Sequence, residues 1–118
     1  MKEKKITPRM LAKEIAKAAD DKKGKEIVIL DLTKLSSMTD YFVIVSGQAM
    51  VQTQAIANHI EGQLKKEQKR SPFSSEGFKN GRWILMDYGS VVAHIFYEED
   101  REFYALEKLW SNAKRVKF

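Results

Sequence analysis

The sequence predicts an α/β domain built on a mixed five-stranded sheet flanked by helices. Three observations predict it. Ile27-Val28-Ile29-Leu30 and Tyr41-Phe42-Val43-Ile44-Val45 are short, almost wholly apolar runs, as expected of strands covered on both faces. Leu11, Ile15, Ala18 and Ala19 recur at helical spacing, and so do Val51, Ala55, Ile56, Ile60 and Leu64 further on. Turn signals at Asn80-Gly81 and Gly89-Ser90 bracket two more apolar runs.

Each element follows in order. Thr7-Pro8 starts a helix, with a hydroxyl N-cap and a proline whose missing N–H costs nothing at the first position. Gly24 is the expected stop. The first strand is Ile27–Leu30, and the polar loop Leu35-Ser36-Ser37-Met38-Thr39-Asp40 leads to the second, Tyr41–Val45, closed by Ser46-Gly47. A long helix from about Ala49 to Glu67 turns Gln52, Gln54, Asn58, Glu61 and Lys65 outward. Ser71 to Phe78, punctuated by Pro72 and Gly77, reads as an irregular edge strand. Trp83–Tyr88 and Val91–Tyr97 read as a hairpin about Gly89-Ser90. Glu98, Glu99 and Asp100 put acidic charge at the start of a final helix, favourable to its dipole, with Phe103, Leu106, Leu109 and Trp110 at helical spacing.

A chain of 118 residues suits one domain, with about six residues at each end expected to be flexible. Its hydrophobic fraction of 43% and twelve aromatics supply a core. There is no cysteine, hence no disulfide framework and no thiolate chemistry, which suits a cytoplasmic protein. The start, Met1-Lys2-Glu3-Lys4-Lys5-Ile6, has no apolar stretch after its charges and is not a signal peptide. No apolar run reaches the ~20 residues of a membrane span. The net charge of +5 gathers at Lys2, Lys4, Lys5 and Arg9, at Lys65, Lys66, Lys69 and Arg70, and at Lys114, Arg115 and Lys117. Two readings of it stay open: a solvated surface, or an acidic partner in a ribonucleoprotein setting.

Catalytic patterns are missing. Ser46-Gly47-Gln48-Ala49 joins a strand to a helix with one glycine and neither G-x-G-x-x-G nor G-K-[ST], so it reads as a turn and helix cap. Asp31, Asp40 and Asp87 fall near strand ends, but none belongs to the paired carboxylates that two-metal chemistry requires. His59 and His94 read as structural or partner-facing. The serines lack a G-x-S-x-G setting. The sequence therefore predicts no catalytic residue, no cofactor and no metal. What remains is an aromatic second half: Trp83, Tyr88, Phe96, Tyr97, Phe103, Tyr104 and Trp110. Alternation along the strand turns Trp83, Leu85 and Asp87 one way and Ile84, Met86 and Tyr88 the other. Core packing and an exposed interface platform are both open for these rings.

Two stretches carry a resemblance: Leu35-Ser36-Ser37-Met38-Thr39-Asp40-Tyr41-Phe42-Val43-Ile44-Val45-Ser46-Gly47, and Gly81-Arg82-Trp83-Ile84-Leu85-Met86-Asp87-Tyr88-Gly89-Ser90-Val91-Val92-Ala93-His94-Ile95-Phe96. With Arg101–Trp110 they resemble the ribosomal silencing factor S family, also called Iojap-like, over about residues 7–112. One departure is visible: Tyr97-Glu98-Glu99 stands where the family often has a proline after its His-x-Phe strand. The resemblance implies a nucleotidyltransferase-like fold without the catalytic motif. It also implies a non-enzymatic factor that binds ribosomal protein L-fourteen of the large subunit, blocks subunit association and represses translation when nutrients are short. No membrane partner is expected, a minor rRNA contact is allowed, and the chain is expected to be a homodimer when free and a monomer on the ribosome. On this resemblance Trp83, Leu85, Asp87, Tyr88, Gly89, Tyr104, Leu106 and Trp110 form or support the docking surface, with Trp83 and Tyr88 as anchors. Glu99 and Arg101 are expected on a polar rim. For Leu106 and Trp110 the alternative is that they only seal the last helix onto the sheet. The rival readings are a direct rRNA-binding module and a metal-dependent nucleotidyltransferase-like enzyme.

Overall fold

Helix propensity and capping act first. The N–H of Met10 donates to the Thr7 hydroxyl at 3.1 Å, closing the start of α1, Pro8–Asp21. Leu11, Ala12, Ile15, Ala16, Ala18 and Ala19 form its buried stripe. The helix ends with Lys23 in the left-handed region (φ 61), and the N–H of Gly24 donates to the Ala19 carbonyl at 2.9 Å. The computed structural model describes residues 6–118, and of Phe103 only the backbone. Lys2, Lys4 and Lys5 lie outside the described residues.

The strands are β1 (Lys25–Asp31), β2 (Tyr41–Gly47), β3 (Ser74–Glu76), β4 (Trp83–Asp87), β5 (Val91–Tyr97) and β6 (Lys114–Val116). They form one sheet in the order β3-β4-β5-β2-β1-β6, parallel between β2 and β5 and antiparallel elsewhere. The sheet thus has six strands, not five. The sixth arises within the segment expected to be a tail, where Ile29, Leu30 and Asp31 pair with Val116, Arg115 and Lys114. Two glycines shape the turns around β4: Gly81 (φ 77) follows Asn80, and Gly89 (φ 87) lies in the β4–β5 hairpin.

Helix α2, Met50–Gln68, makes the crossover that a parallel pair demands. Its buried face is Thr53, Ile56, Ala57, Ile60 and Leu64. That corrects the expected stripe, because Val51 is 76% exposed and Ala55 is exposed too. The stripe is rotated because Thr53 can face inward: its single hydroxyl proton is shared between the Gly81 carbonyl at 2.6 Å and the Met50 carbonyl at 2.7 Å. Helices α1 and α2 pack together on one face of the sheet, over Ile29, Val43, Val45, Ile84, Met86, Ala93 and Ile95. His59 Nε2 lies 3.2 Å from Asp21 Oδ2, and Gln68 donates to Glu14 at 3.0 Å, tying the two helices side by side.

The last helix is also corrected. It breaks into α3, Glu98–Tyr104, and α4, Leu106–Leu109, with Ala105 between them in the left-handed region (φ 50). A straight helix could not place both Tyr104 and Leu106 against the sheet, and the break lets each reach it. These short helices lie on the face opposite α1 and α2, against a smaller core of Leu30, Leu32, Ile44 and Phe96.

Candidate docking surface on the open face of the sheet

Strand alternation decides which side chains share the sparsely covered face. Register puts Trp83 opposite Phe96, Leu85 opposite His94 and Asp87 opposite Val92, then Phe42 beside Val92 and Ile44 beside His94. Trp83, Leu85 and Asp87 are half-buried, while Ile84 and Met86 between them are buried under the helices. The alternation read from the sequence therefore holds along β4.

Trp83 is the hub of the aromatic cluster. Its ring stacks on Phe96 with centroids 5.0 Å apart and meets Tyr104 at 4.4 Å. Its indole N–H donates to His94 Nδ1 at 3.1 Å. Phe42 stands edge-on to His94 at 4.4 Å and to Trp110 at 5.9 Å. Leu106 and Trp110 are half-buried against the smaller core and continue this surface, and Tyr104 and Leu109 are exposed at its border. Trp83, Leu85, Asp87, Tyr104, Leu106 and Trp110 are thus brought onto one face. Phe42 and His94 share it and were not among the expected docking residues. Only the β2–β5 register reveals them, and a single sequence does not print that register.

Three expected residues sit elsewhere or act differently. Tyr88 is 3% exposed and belongs to the core under α1 and α2, so it offers no anchor on this face. Burial, with Glu61 nearby, holds its phenol proton well above the ordinary range. Arg101 is buried, not a rim residue. It donates to Glu107 at 2.8 Å and to the Ser46 hydroxyl at 2.9 Å, stapling α3 to the end of β2. Gly89 serves the hairpin turn, where its N–H donates to Asp87 Oδ1 at 2.7 Å. Asp87 is therefore partly committed to that turn while remaining half-buried on the face. Glu99 is exposed, as expected of the rim.

The electrostatics of this face differ from those of the whole chain. Glu98, Glu99 and Glu102 are exposed on α3, around the pocket that Lys25, Ser46 and Arg101 also line, and Asp100 takes a two-pronged contact from Arg82 at 2.8 and 3.2 Å. The basic run Lys65, Lys66, Lys69 and Arg70 is exposed at the end of α2, in the helical layer across the sheet. Asp31 is engaged locally, accepting from the Thr33 N–H at 2.9 Å and its hydroxyl at 2.6 Å, which lowers its pKa. Among the described residues no three acidic or histidine side chains come together in a way that could hold a metal ion. No helix among them is long and apolar enough to cross a membrane.

The model of the family described as ribosomal silencing factor during starvation matches residues 5–118. A ribosomal silencing factor RsfS of Bacillus subtilis is 41% identical over 108 residues, covering 92% of this chain and 91% of that protein. The chloroplastic protein Iojap of Zea mays is 33% identical over 102 residues, 86% of this chain and 44% of its own length. A crystal structure of a Chromobacterium violaceum protein superposes with a TM-score of 0.86 at 33% identity, covering 96% of this chain and 92% of that one. The sheet with its asymmetric helical cover is thus shared with relatives along nearly the full chain, and the chain belongs to the family of ribosomal silencing factors during starvation.

Proposed function

We propose that this chain silences ribosomes by docking its open sheet face on ribosomal protein L-fourteen of the large subunit. The bound chain obstructs joining of the small subunit and represses translation when nutrients are short. The observation that carries this reading is an aromatic platform centred on Trp83, on the sheet face opposite the exposed basic run of α2. An rRNA-binding face would concentrate lysine and arginine around its stacking rings. Here the run Lys65, Lys66, Lys69 and Arg70 lies in the helical layer across the sheet, and Arg82 beside the rings is paired with Asp100, which suits a protein partner. Trp83 is the central anchor, and Leu85, Asp87, Leu106 and Trp110 complete the surface.

The reading assigns no enzymatic step and no cofactor. It treats the sheet as nucleotidyltransferase-like, with Asp31 and Asp87 given to turns rather than to catalysis. It places the protein in the cytoplasm, paired with a second copy when free and single on the ribosome. A minor rRNA contact would come from Lys65, Lys66 and Arg70.

The test is binding of purified L-fourteen to the wild type and to Trp83→Ala, with folding checked by circular dichroism. Truncating a central aromatic anchor costs about 2 kcal/mol or more, which is roughly a 30-fold loss of affinity. Binding that survives 0.3 M salt and collapses in the folded variant supports the reading. Equal binding by the two proteins would overturn the assignment of the surface. Binding to isolated rRNA that falls steeply with salt would favour the RNA module instead.

A further inference from the structure

The docking reading above leaves one polar side chain of the open face without a task. His94 lies in the middle of β5 and is 4% exposed, enclosed by Phe42, Trp83 and Phe96. An indole nitrogen can only donate, so the 3.1 Å contact makes His94 Nδ1 the acceptor. The proton of the neutral ring is then on Nε2, which is buried and has no hydrogen-bond partner in the structure. An apolar side chain would fill this floor and remove the unpaired Nε2–H, but it would leave the indole N–H of Trp83 without its acceptor. Filling space is therefore not what the imidazole adds. It adds an acceptor for Trp83.

Stacking alone leaves the indole underdetermined. Phe96 at 5.0 Å and Tyr104 at 4.4 Å, themselves 5.7 Å apart, pack against the indole as a triangle of rings, contacts that have no donor or acceptor to tell one edge of it from the other. The torsion that flips an indole is broad and roughly two-fold, and ring packing alone does not choose between its two settings. Only one of them brings Nε1 to His94. We propose that His94 is a positioning residue of the docking surface, which holds the Trp83 indole in the single orientation that the partner receives. This proposal rests on the docking reading. An anchor fixed before binding loses less side-chain freedom on binding, so removing the acceptor should weaken the complex by about tenfold.

The experiment uses the full chain, L-fourteen as probe, and two variants. His94→Asn can present an amide oxygen near the position of Nδ1, and His94→Leu cannot. The expected result is wild-type affinity for His94→Asn, about tenfold weaker binding for His94→Leu, and a urea midpoint for the leucine variant no lower than that of wild type. The Trp83 indole N–H resonance should keep its hydrogen-bonded position in the asparagine variant and lose it in the leucine variant. Nitrogen NMR of the wild-type imidazole, which needs no variant, should report the Nε2–H form. Equal affinity of His94→Leu and wild type, or a proton on Nδ1, overturns the positioning role alone. Loss in both variants alike would also overturn it, since a lost acceptor could then not be the cause. A wild type that does not bind L-fourteen sinks the docking reading, and the positioning role with it.

Discussion

Mild acid should destabilise this protein through one ring. Burial lowers the pKa of His94 from the ordinary 6.5 to about 4, and burial is the whole cause. Between those two values the unfolded chain binds a proton that the folded chain refuses, so stability falls as pH drops from about 6.5 to about 4. Above that window the ring is neutral in both states and contributes no slope. Each pH unit of separation is worth about 1.4 kcal/mol, which gives about 2 kcal/mol lost by pH 5 and about 3 kcal/mol by pH 4. Against a typical total of about 5–15 kcal/mol this is a large share. Geometry points the same way, since a proton on Nδ1 would face the indole N–H at 3.1 Å, donor against donor. Urea unfolding of wild type and His94→Asn at pH 7 and pH 5 isolates the ring, because the carboxylates and His59 are common to both. Wild type should lose about 2 kcal/mol more than the variant over that interval. Equal losses would show that His94 is not held neutral by its surroundings.

Two further substitutions probe the buried polar groups. Arg101→Met keeps the aliphatic stem but takes the guanidinium from the Ser46 hydroxyl and leaves Glu107 only its longer contact with Arg115 at 3.4 Å. With Glu107 at 29% exposure, water should limit the cost to about 2 kcal/mol, read as a lower urea midpoint at unchanged slope. A stability within a few tenths of a kilocalorie of wild type would mean that the staple is idle. Tyr88→Phe removes a buried phenol oxygen that has no partner, so stability should stay level or rise by up to about 1 kcal/mol. A fall of more than about 1 kcal/mol would reveal a hydrogen bond that the structure does not contain.

Much of the scaffold was legible because its signals are local. The threonine–proline start of α1, the apolar runs of β1 and β2 and the glycine turns of the hairpin each announce themselves within a few residues. The split of β4 into Trp83, Leu85 and Asp87 against Ile84 and Met86 follows from the two-residue period alone. What escaped depends on distant partners. Lys114-Arg115-Val116 carries two charges in three residues and becomes a strand only because the edge of β1 is there to receive it. Arg101 resembles any helix-surface arginine until Ser46 and Glu107 close around it. Tyr88 is the exception: the two-residue period sets it with Ile84 and Met86, where it lies, and only the resemblance made it an anchor. His94 and Phe42 are neighbours by register across a parallel pair whose connection includes α2, β3 and β4.

The two margins of the sheet have a consequence for how copies of this chain can meet. Each margin is a strand of only three residues, Ser74-Ser75-Glu76 on one side and Lys114-Arg115-Val116 on the other. Short and polar or charged, they offer little of the bare backbone row onto which another chain could add a strand. Without β6 the long apolar β1 would be that row, with Ile29, Leu30 and Asp31 exposing their backbone groups. Those three closing residues act as a selvedge that stops the sheet from fraying into its neighbours. Strand addition is blocked along Ile29–Asp31, the most apolar half of that edge.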